Sequence, residues 1–123
     1  MNPDSLNIDL AALDDGAVQV FKLSGSLDVA TSPTLRAALL EGAEHEGHAI
    51  IVDLTHVEFL DSTGLGAMIG AHRRAGERNG SLRLVAEEGQ ILRLLRITGL
   101  LDVLGVYPNV EAALKDEARF KGL

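Results

Sequence analysis

The sequence contains no cysteine and no tryptophan, and aromatic residues make up only 3% of it. Without cysteine, the chain cannot form disulfides, cysteine-ligated zinc sites or a catalytic thiol. Proteins that bind single-stranded nucleic acid stack its bases on exposed aromatic side chains. A net charge of −7 also opposes binding to a phosphate backbone. We therefore expect no direct nucleic-acid partner.

Long hydrophobic runs are also missing. No apolar segment approaches the roughly 20 residues that span a bilayer, and the start of the chain, Met1–Ser5, lacks the basic and apolar regions of a signal peptide. These absences predict a cytoplasmic protein that does not contact a membrane. The 123 residues are 46% hydrophobic and 24% charged, which predicts one domain over residues 1–123 that buries its own core.

The hydrophobic pattern predicts nine elements in the order β-β-α-β-α-β-α-β-α. Alternating or continuous apolar segments predict strands over residues 6–13, 17–23, 49–54, 82–86 and 103–106, the first two joined as a hairpin at Asp14-Asp15-Gly16. Helical spacing predicts helices from Thr31-Ser32-Pro33 to about residue 44, from Ser62 to about 78, around 91–97, and over 110–120 with Asn109 as its cap. The predicted fold is α/β, with a mixed central sheet of about five strands and about four helices packed on it.

The segment Asp61-Ser62-Thr63 lies where the chain passes from the central strand into a helix. Side-chain oxygens at such a place accept hydrogen bonds from backbone N–H groups at the helix start. A helix N-terminus also favours an anion, so a hydroxyl there is well placed to carry a phosphate. These residues alone leave two interpretations of Ser62 open, a cap or a phosphate carrier. Asp28 follows another predicted strand and could meet Asp61 at one edge of the sheet, or serve only as a turn residue.

The remaining polar residues predict no catalytic centre, metal site or cofactor. The four histidines, at positions 45, 48, 56 and 72, lack partners at metal-ligand spacing and are expected to face solvent or act as caps. Ser62 could belong to a hydrolase triad, but the Gly-x-Ser-x-Gly elbow and the Gly-x-x-x-x-Gly-Lys phosphate loop are both absent. Gly64, Gly66 and Gly70 are spaced along a helix, where small residues allow close approach of the sheet or of a partner. A binding protein, not an enzyme, is expected.

Three motifs in register resemble the signatures of STAS domains, and particularly of bacterial anti-sigma factor antagonists. The segment Leu60–Gly66 is similar to the family signature, and Gly25-Ser26-Leu27-Asp28 resembles its Gly-acidic-aliphatic-Asp motif. The segment 98–114 resembles the family ending, so the resemblance covers about residues 6–115. Ser26 stands where many relatives carry an acidic residue, which would remove a charge from the contact edge.

This resemblance implies a partner switch. The unphosphorylated antagonist binds an anti-sigma factor that is also a serine kinase, and the released sigma factor directs transcription. The kinase then phosphorylates Ser62 with ATP, which ends binding, and a serine phosphatase resets the switch. A phosphate on Ser62 would stand beside Asp61 and near Asp28, so like charges would oppose complex formation. The alternative is a STAS scaffold or sensor module in a partner-switching pathway that does not end in a sigma factor.

The expected contact surface is built from the two strand ends and one face of the following helix. Leu65 and Ile69 of that helix are expected in the core, whereas its other face could meet the partner. The residues expected to bind the partner are Asp28, Asp61, Ser62, Thr63, Gly64 and Met68.

Overall fold

The strands form one mixed sheet. The computed structural model of the protein describes residues 5–115. The strands, in spatial as well as chain order, are β1 (Leu6–Leu13), β2 (Val18–Leu27), β3 (Ala49–Leu60), β4 (Ser81–Val85) and β5 (Gly105–Tyr107). β1 pairs antiparallel with β2, and the other neighbours are parallel. The described helices are α1 (Ser32–Ala43), α2 (Ser62–Glu77), α3 (Gln90–Ile97) and α4 (Val110–Lys115). The predicted α/β fold is confirmed. Residues 116–120 of the last predicted helix lie outside the described range.

The central strand β3 is buried on both faces, as its continuous apolar pattern predicts. Ile50 and Val52 pack into the larger core, which also contains side chains of α1, α2 and α3. Ile51 points to the opposite face and packs with Val20, Val85 and Ala113 of α4. Because successive side chains of a strand point to opposite faces, each face needs its own cover. Three helices cover one face of the sheet, and α4 packs on the other.

Two strands run further than the sequence pattern predicts. β2 ends at Leu27 instead of residue 23, and β3 ends at Leu60 instead of residue 54. The strands stay paired across two register shifts, one of them next to Gly25, whose φ of +101° only glycine adopts without strain. Such irregularities break the alternation of apolar and polar residues, so the pattern ends before the strand does. The longer strands carry the chain to Asp28 and Asp61 side by side.

Helices α1 and α2 lie parallel and are connected at both ends. At their starts, the Ser32 hydroxyl donates to the Thr63 hydroxyl oxygen at 3.0 Å. At their far ends, Arg74 Nε donates to Glu44 at 2.7 Å and Arg78 Nη2 at 3.2 Å. Hydrogen bonds from Arg74 and Arg78 lower the pKa of Glu44 to about 2. The relative position of α1 and α2 is therefore defined at both ends.

Among residues 5–115, no helix has the length and hydrophobicity that crossing a membrane would require.

Candidate functional site at the start of α2

The parallel strands β2 and β3 end together, which brings Asp28 and Asp61 to one edge of the sheet. Leu27 pairs with Leu60, and the backbone N–H of Asp61 donates to the carbonyl of Leu27 at 3.1 Å. Asp28 organises the turn after β2, since its Oδ1 accepts hydrogen bonds from the backbone N–H groups of Ala30 and Thr31, both at 3.0 Å. Asp28 and Asp61 thus lie at the same edge of the sheet, and Asp28 also serves there as a turn residue, which is the other interpretation that the sequence left open.

Asp61 is the N-cap of α2. Its Oδ1 accepts from the backbone N–H of Thr63 at 2.9 Å, from that of Gly64 at 3.4 Å, and from the Thr63 hydroxyl. Its extended backbone, with φ −115° and ψ −173°, is typical of a cap residue. The hydrogen bond from the Thr63 hydroxyl, followed by those from the backbone, holds the pKa of Asp61 below its ordinary value, although burial opposes this. The cap is therefore an ionised carboxylate, and Ser62 is not the cap.

The Thr63 hydroxyl both donates and accepts a hydrogen bond. It donates to Asp61 and accepts from Ser32, whose side chain is buried at 6% exposure on α1. These bonds form a chain Ser32–Thr63–Asp61 that attaches the start of α1 to the start of α2. Removing the Thr63 hydroxyl would therefore break the hydrogen-bonded connection between the starts of the two helices.

Ser62 differs from both of its neighbours. It is the first residue of α2 and is exposed. Its hydroxyl forms no hydrogen bond with any residue in the range 5–115, a histidine included. Of the three oxygen-bearing side chains at this junction, that of Ser62 is the one without a hydrogen bond to a described residue.

Two of the residues expected to touch a partner lie in the core instead. Met68 is 0% exposed, so the prediction that its side chain contacts a partner is wrong. Gly64 is also buried, because the start of α2 lies against the end of β2. Leu65 is buried as expected, and Ile69 is half-buried against the core. Both misplaced predictions share a cause: Met68 lies one helical turn after Gly64, so the two occupy one face of α2, and that face packs on the sheet.

Ser26 is 7% exposed, so its side chain does not form part of the surface at this edge. The prediction about the charge at this position concerns the acidic residue of relatives and stays a prediction. The Ser26 carbonyl accepts a hydrogen bond from the Thr31 hydroxyl at 2.7 Å. The backbone of Ser26 thus helps to shape the turn that carries Asp28.

A groove of about 720 Å³ opens beside Ser62, between α1 and α2. We call it the α1–α2 groove; its lining includes Val29, Pro33, Arg36, Leu40, Ser62 and Gly66. Val29 is 74% exposed, and Phe59, near the end of β3, is 52% exposed at the same edge. Val29, Arg36 and Phe59 were not predicted from the sequence to belong to this surface. The apolar residues at positions 33, 37 and 40 of α1, at helical spacing away from the buried Leu35 and Leu39, were the signal for this second face.

The four histidines differ in their exposure. Within the described part of the chain, no group of three or more histidine, aspartate or glutamate side chains is placed to hold a metal ion. His45 and His56 are exposed as expected, and the ring of His45 stacks on that of His48 with centroids 4.9 Å apart. His72 is half-buried, and burial lowers its pKa.

The ionised cap predicts a specific pH dependence of stability. The folded-state pKa of Asp61 is below its ordinary value of 3.8, so the carboxylate stabilises the fold above that pH. This contribution is lost as the pH falls through the folded-state value. Asparagine also caps helices, so Asp61→Asn removes mainly the charge. We expect the stability advantage of the wild type over Asp61→Asn, measured by urea unfolding, to shrink between about pH 7 and pH 3. An advantage that grows on acidification would contradict the assignment.

The fold is shared with known proteins, several of which are also related in sequence. A relative from Listeria monocytogenes, an anti-sigma-B factor antagonist, is 33% identical over 110 residues, covering 89% of this chain and 95% of its own. The structure of an anti-sigma factor antagonist from Mycobacterium paratuberculosis matches with a TM-score of 0.81 and 31% identity, over 92% of this chain and 94% of that one.

SpoIIAA, an anti-sigma factor antagonist and cell fate determinant of Bacillus, shares the fold at 22% identity in both of its states. Its unphosphorylated form has a TM-score of 0.73, covering 95% of this chain and 98% of that one. Its phosphorylated form has a TM-score of 0.65, covering 87% and 96%. The family model of the STAS domain matches residues 9–113 of this chain. The resemblance seen in the sequence is thus confirmed: the chain belongs to the STAS domain family and is a relative of the anti-sigma factor antagonists.

Proposed function

We propose that this chain is an anti-sigma factor antagonist that binds an anti-sigma factor serine kinase and is switched off when the kinase phosphorylates Ser62. The observation that carries the proposal is the state of the Ser62 hydroxyl, which is exposed and free of hydrogen bonds within the described residues. The names of the relatives from Listeria and Mycobacterium support the antagonist role. SpoIIAA, which shares the fold, exists in a phosphorylated form.

In the proposed reaction the chain is the substrate. The Ser62 oxygen attacks the γ-phosphorus of ATP, an O–P bond forms, and the bond to the ADP oxygen breaks. The hydroxyl proton passes to a base on the kinase, since Ser62 forms no hydrogen bond with a basic side chain among residues 5–115. A serine phosphatase would hydrolyse the phosphate ester and regenerate the hydroxyl. No catalytic residue of this chain is required.

The switch follows from charge. A phosphate adds about −1.5 to −2 charges at neutral pH. A helix N-terminus normally offers free N–H groups to an anion, but here Asp61 already accepts from the N–H groups of Thr63 and Gly64. The phosphate would therefore meet a carboxylate at the helix start. Because the Ser62 side chain is exposed, the fold can remain unchanged while the surface becomes strongly negative.

The proposed contact surface surrounds Ser62 at the edge where β2 and β3 end. Asp28, Asp61 and Thr63 are half-exposed there. Val29 and Phe59 add exposed apolar area, which a partner can bury with a gain of about 25 cal/mol per Å². A phosphate in the middle of such a surface would be desolvated on binding and would oppose the neighbouring carboxylates. Binding is therefore expected in the unphosphorylated form only.

A capture experiment tests this function. The wild-type chain and Ser62→Asp are used as baits in a lysate of the source organism, and the retained proteins are identified by mass spectrometry. Ala12→Asp is the charge control: Ala12 is exposed and pairs with Gln19, at the end of the sheet opposite Ser62. We expect the wild type and Ala12→Asp to retain an anti-sigma factor with a kinase domain, and Ser62→Asp to lose it.

Two other results of the capture experiment would contradict part of this proposal. Retention of a partner-switching kinase that binds no sigma factor would favour the STAS scaffold or sensor module. Equal retention by all three baits would contradict a switch at Ser62.

A further inference from the structure

Arg36 is a cationic side chain beside the proposed phosphorylation site. It lies on the exposed side of α1 and lines the α1–α2 groove together with Ser62. Arg74, Arg78 and Arg96 each form an ion pair with a glutamate. Arg36 forms none with any residue from 5 to 115. A groove that is otherwise lined by apolar and hydroxyl groups thus carries a single positive charge.

The geometry of α1 places this charge near the start of α2. Ser32 is held against Thr63, the residue next to Ser62, and Arg36 follows Ser32 by four residues. Residues four apart lie on the same face of a helix, about one turn or 5.4 Å apart. Long side chains of a helix also lean toward its N-terminus. The guanidinium of Arg36 can therefore reach the end of the groove where the Ser62 hydroxyl is exposed.

We propose that Arg36 binds the phosphoryl group on Ser62 and lies across the α1–α2 groove in the phosphorylated protein. The inference rests on the proposed phosphorylation of Ser62. Guanidinium N–H groups match phosphate oxygens in pairs, which makes arginine a strong phosphate ligand. The backbone N–H groups of Thr63 and Gly64 are already bonded to Asp61, whereas Arg36 supplies a cationic donor in the groove beside Ser62. The phosphorylated form then differs in two respects, because a charge is added and the groove is covered.

The competing acids do not prevent this pairing. Asp28 and Asp61 are the carboxylates at this edge, and the Oδ1 atom of each already accepts two or more hydrogen bonds. Each carries one negative charge, whereas a phosphate carries about two at neutral pH. A phosphate on Ser62 is therefore the better partner for the guanidinium. In the unphosphorylated protein the same groove stays open to a binding partner.

The test is a phosphorus-31 NMR titration of the full chain with phosphoserine inserted at position 62 during translation. The second pKa of the phosphate is compared in the otherwise wild-type chain, in Arg36→Gln, and in Arg73→Gln as the matched control. Arg73 is exposed on α2, eleven positions beyond Ser62, and likewise forms no ion pair with a described residue. Glutamine keeps most of the side-chain length in both variants. Circular dichroism verifies that all three chains are folded.

We expect Arg36→Gln to raise the phosphate pKa by about half a unit, the size typical of an exposed ion pair, and Arg73→Gln to leave it unchanged. In about 1 M salt the difference should largely vanish. Equal pKa values in the wild type and Arg36→Gln, or equal shifts in both variants, would overturn the proposal. Because the phosphoserine is installed without a kinase, this result does not depend on whether the chain is phosphorylated in the cell. The capture experiment decides that question separately.

Discussion

Replacing Ser62 with alanine is expected to abolish phosphate transfer from the anti-sigma factor kinase while leaving binding to that kinase intact. The substitution removes the one hydroxyl at the start of α2 that is not committed to hydrogen bonds among the described residues. It does not disturb the cap, because Asp61 supplies the accepting oxygen. Intact-protein mass spectrometry after incubation with kinase and ATP measures the phosphate incorporated. The wild type should approach one phosphate per chain and Ser62→Ala should show none.

Thr63 provides the matched control for the acceptor. Thr63→Ser keeps a hydroxyl that can donate to Asp61 and accept from Ser32, so the cap is preserved and phosphorylation should remain complete. Stoichiometric phosphorylation of Ser62→Ala would show that Thr63 or another residue is the acceptor.

Phosphorylated wild type should bind the partner on the order of 100-fold more weakly than the unphosphorylated chain, since unfavourable juxtaposition of like charges costs several kcal/mol.

Gly64→Ala is expected to destabilise the fold by about 1–3 kcal/mol, the usual cost of overpacking a core. A Cβ at position 64 would lie 2.7 Å from Leu60 Cδ1 and 2.8 Å from Leu27 Cβ. The Leu60 methyl group can move, but the Leu27 Cβ is attached to the backbone of β2. The start of α2 would therefore shift away from the sheet, together with Ser62. Urea unfolding monitored by circular dichroism measures the loss.

Gly66→Ala provides a control with the opposite sign. Gly66 lies two residues further along the same helix, and a Cβ there would meet no described atom within 4 Å apart from the neighbouring backbone of its own helix. Alanine loses less conformational entropy than glycine on forming a helix, so the variant should be more stable by about 0.4–1 kcal/mol. The same chemical change thus separates the packed side of α2 from the side that faces the α1–α2 groove. Equal effects of the two substitutions would contradict the packing described for Gly64.

The order and type of the helices and strands could be predicted from the amino-acid sequence. Hydrophobic periodicity is a local property, so it identified β1 with both of its ends, the buried strand β3, and the helix that begins at Ser62. The position of Asp61, Ser62 and Thr63 at a strand-to-helix junction was likewise readable, because the types of residue that cap helices are few. The family motifs added the identity of Ser62 as the expected phosphate acceptor.

The role of each of these side chains depends on how the helices and strands pack against one another, which the sequence pattern does not reveal. Asp61, not Ser62, caps α2 because its backbone is extended and its carboxylate faces two free N–H groups. Thr63 is engaged by Ser32, which lies 31 positions earlier in the chain, and no local pattern reveals such a contact. Met68 is buried because the packing of α2 on β3 and β4 selects the face of the helix on which it lies. Arg36 and Ser62 line one groove for the same reason, because side chains distant in sequence come together only when helices pack.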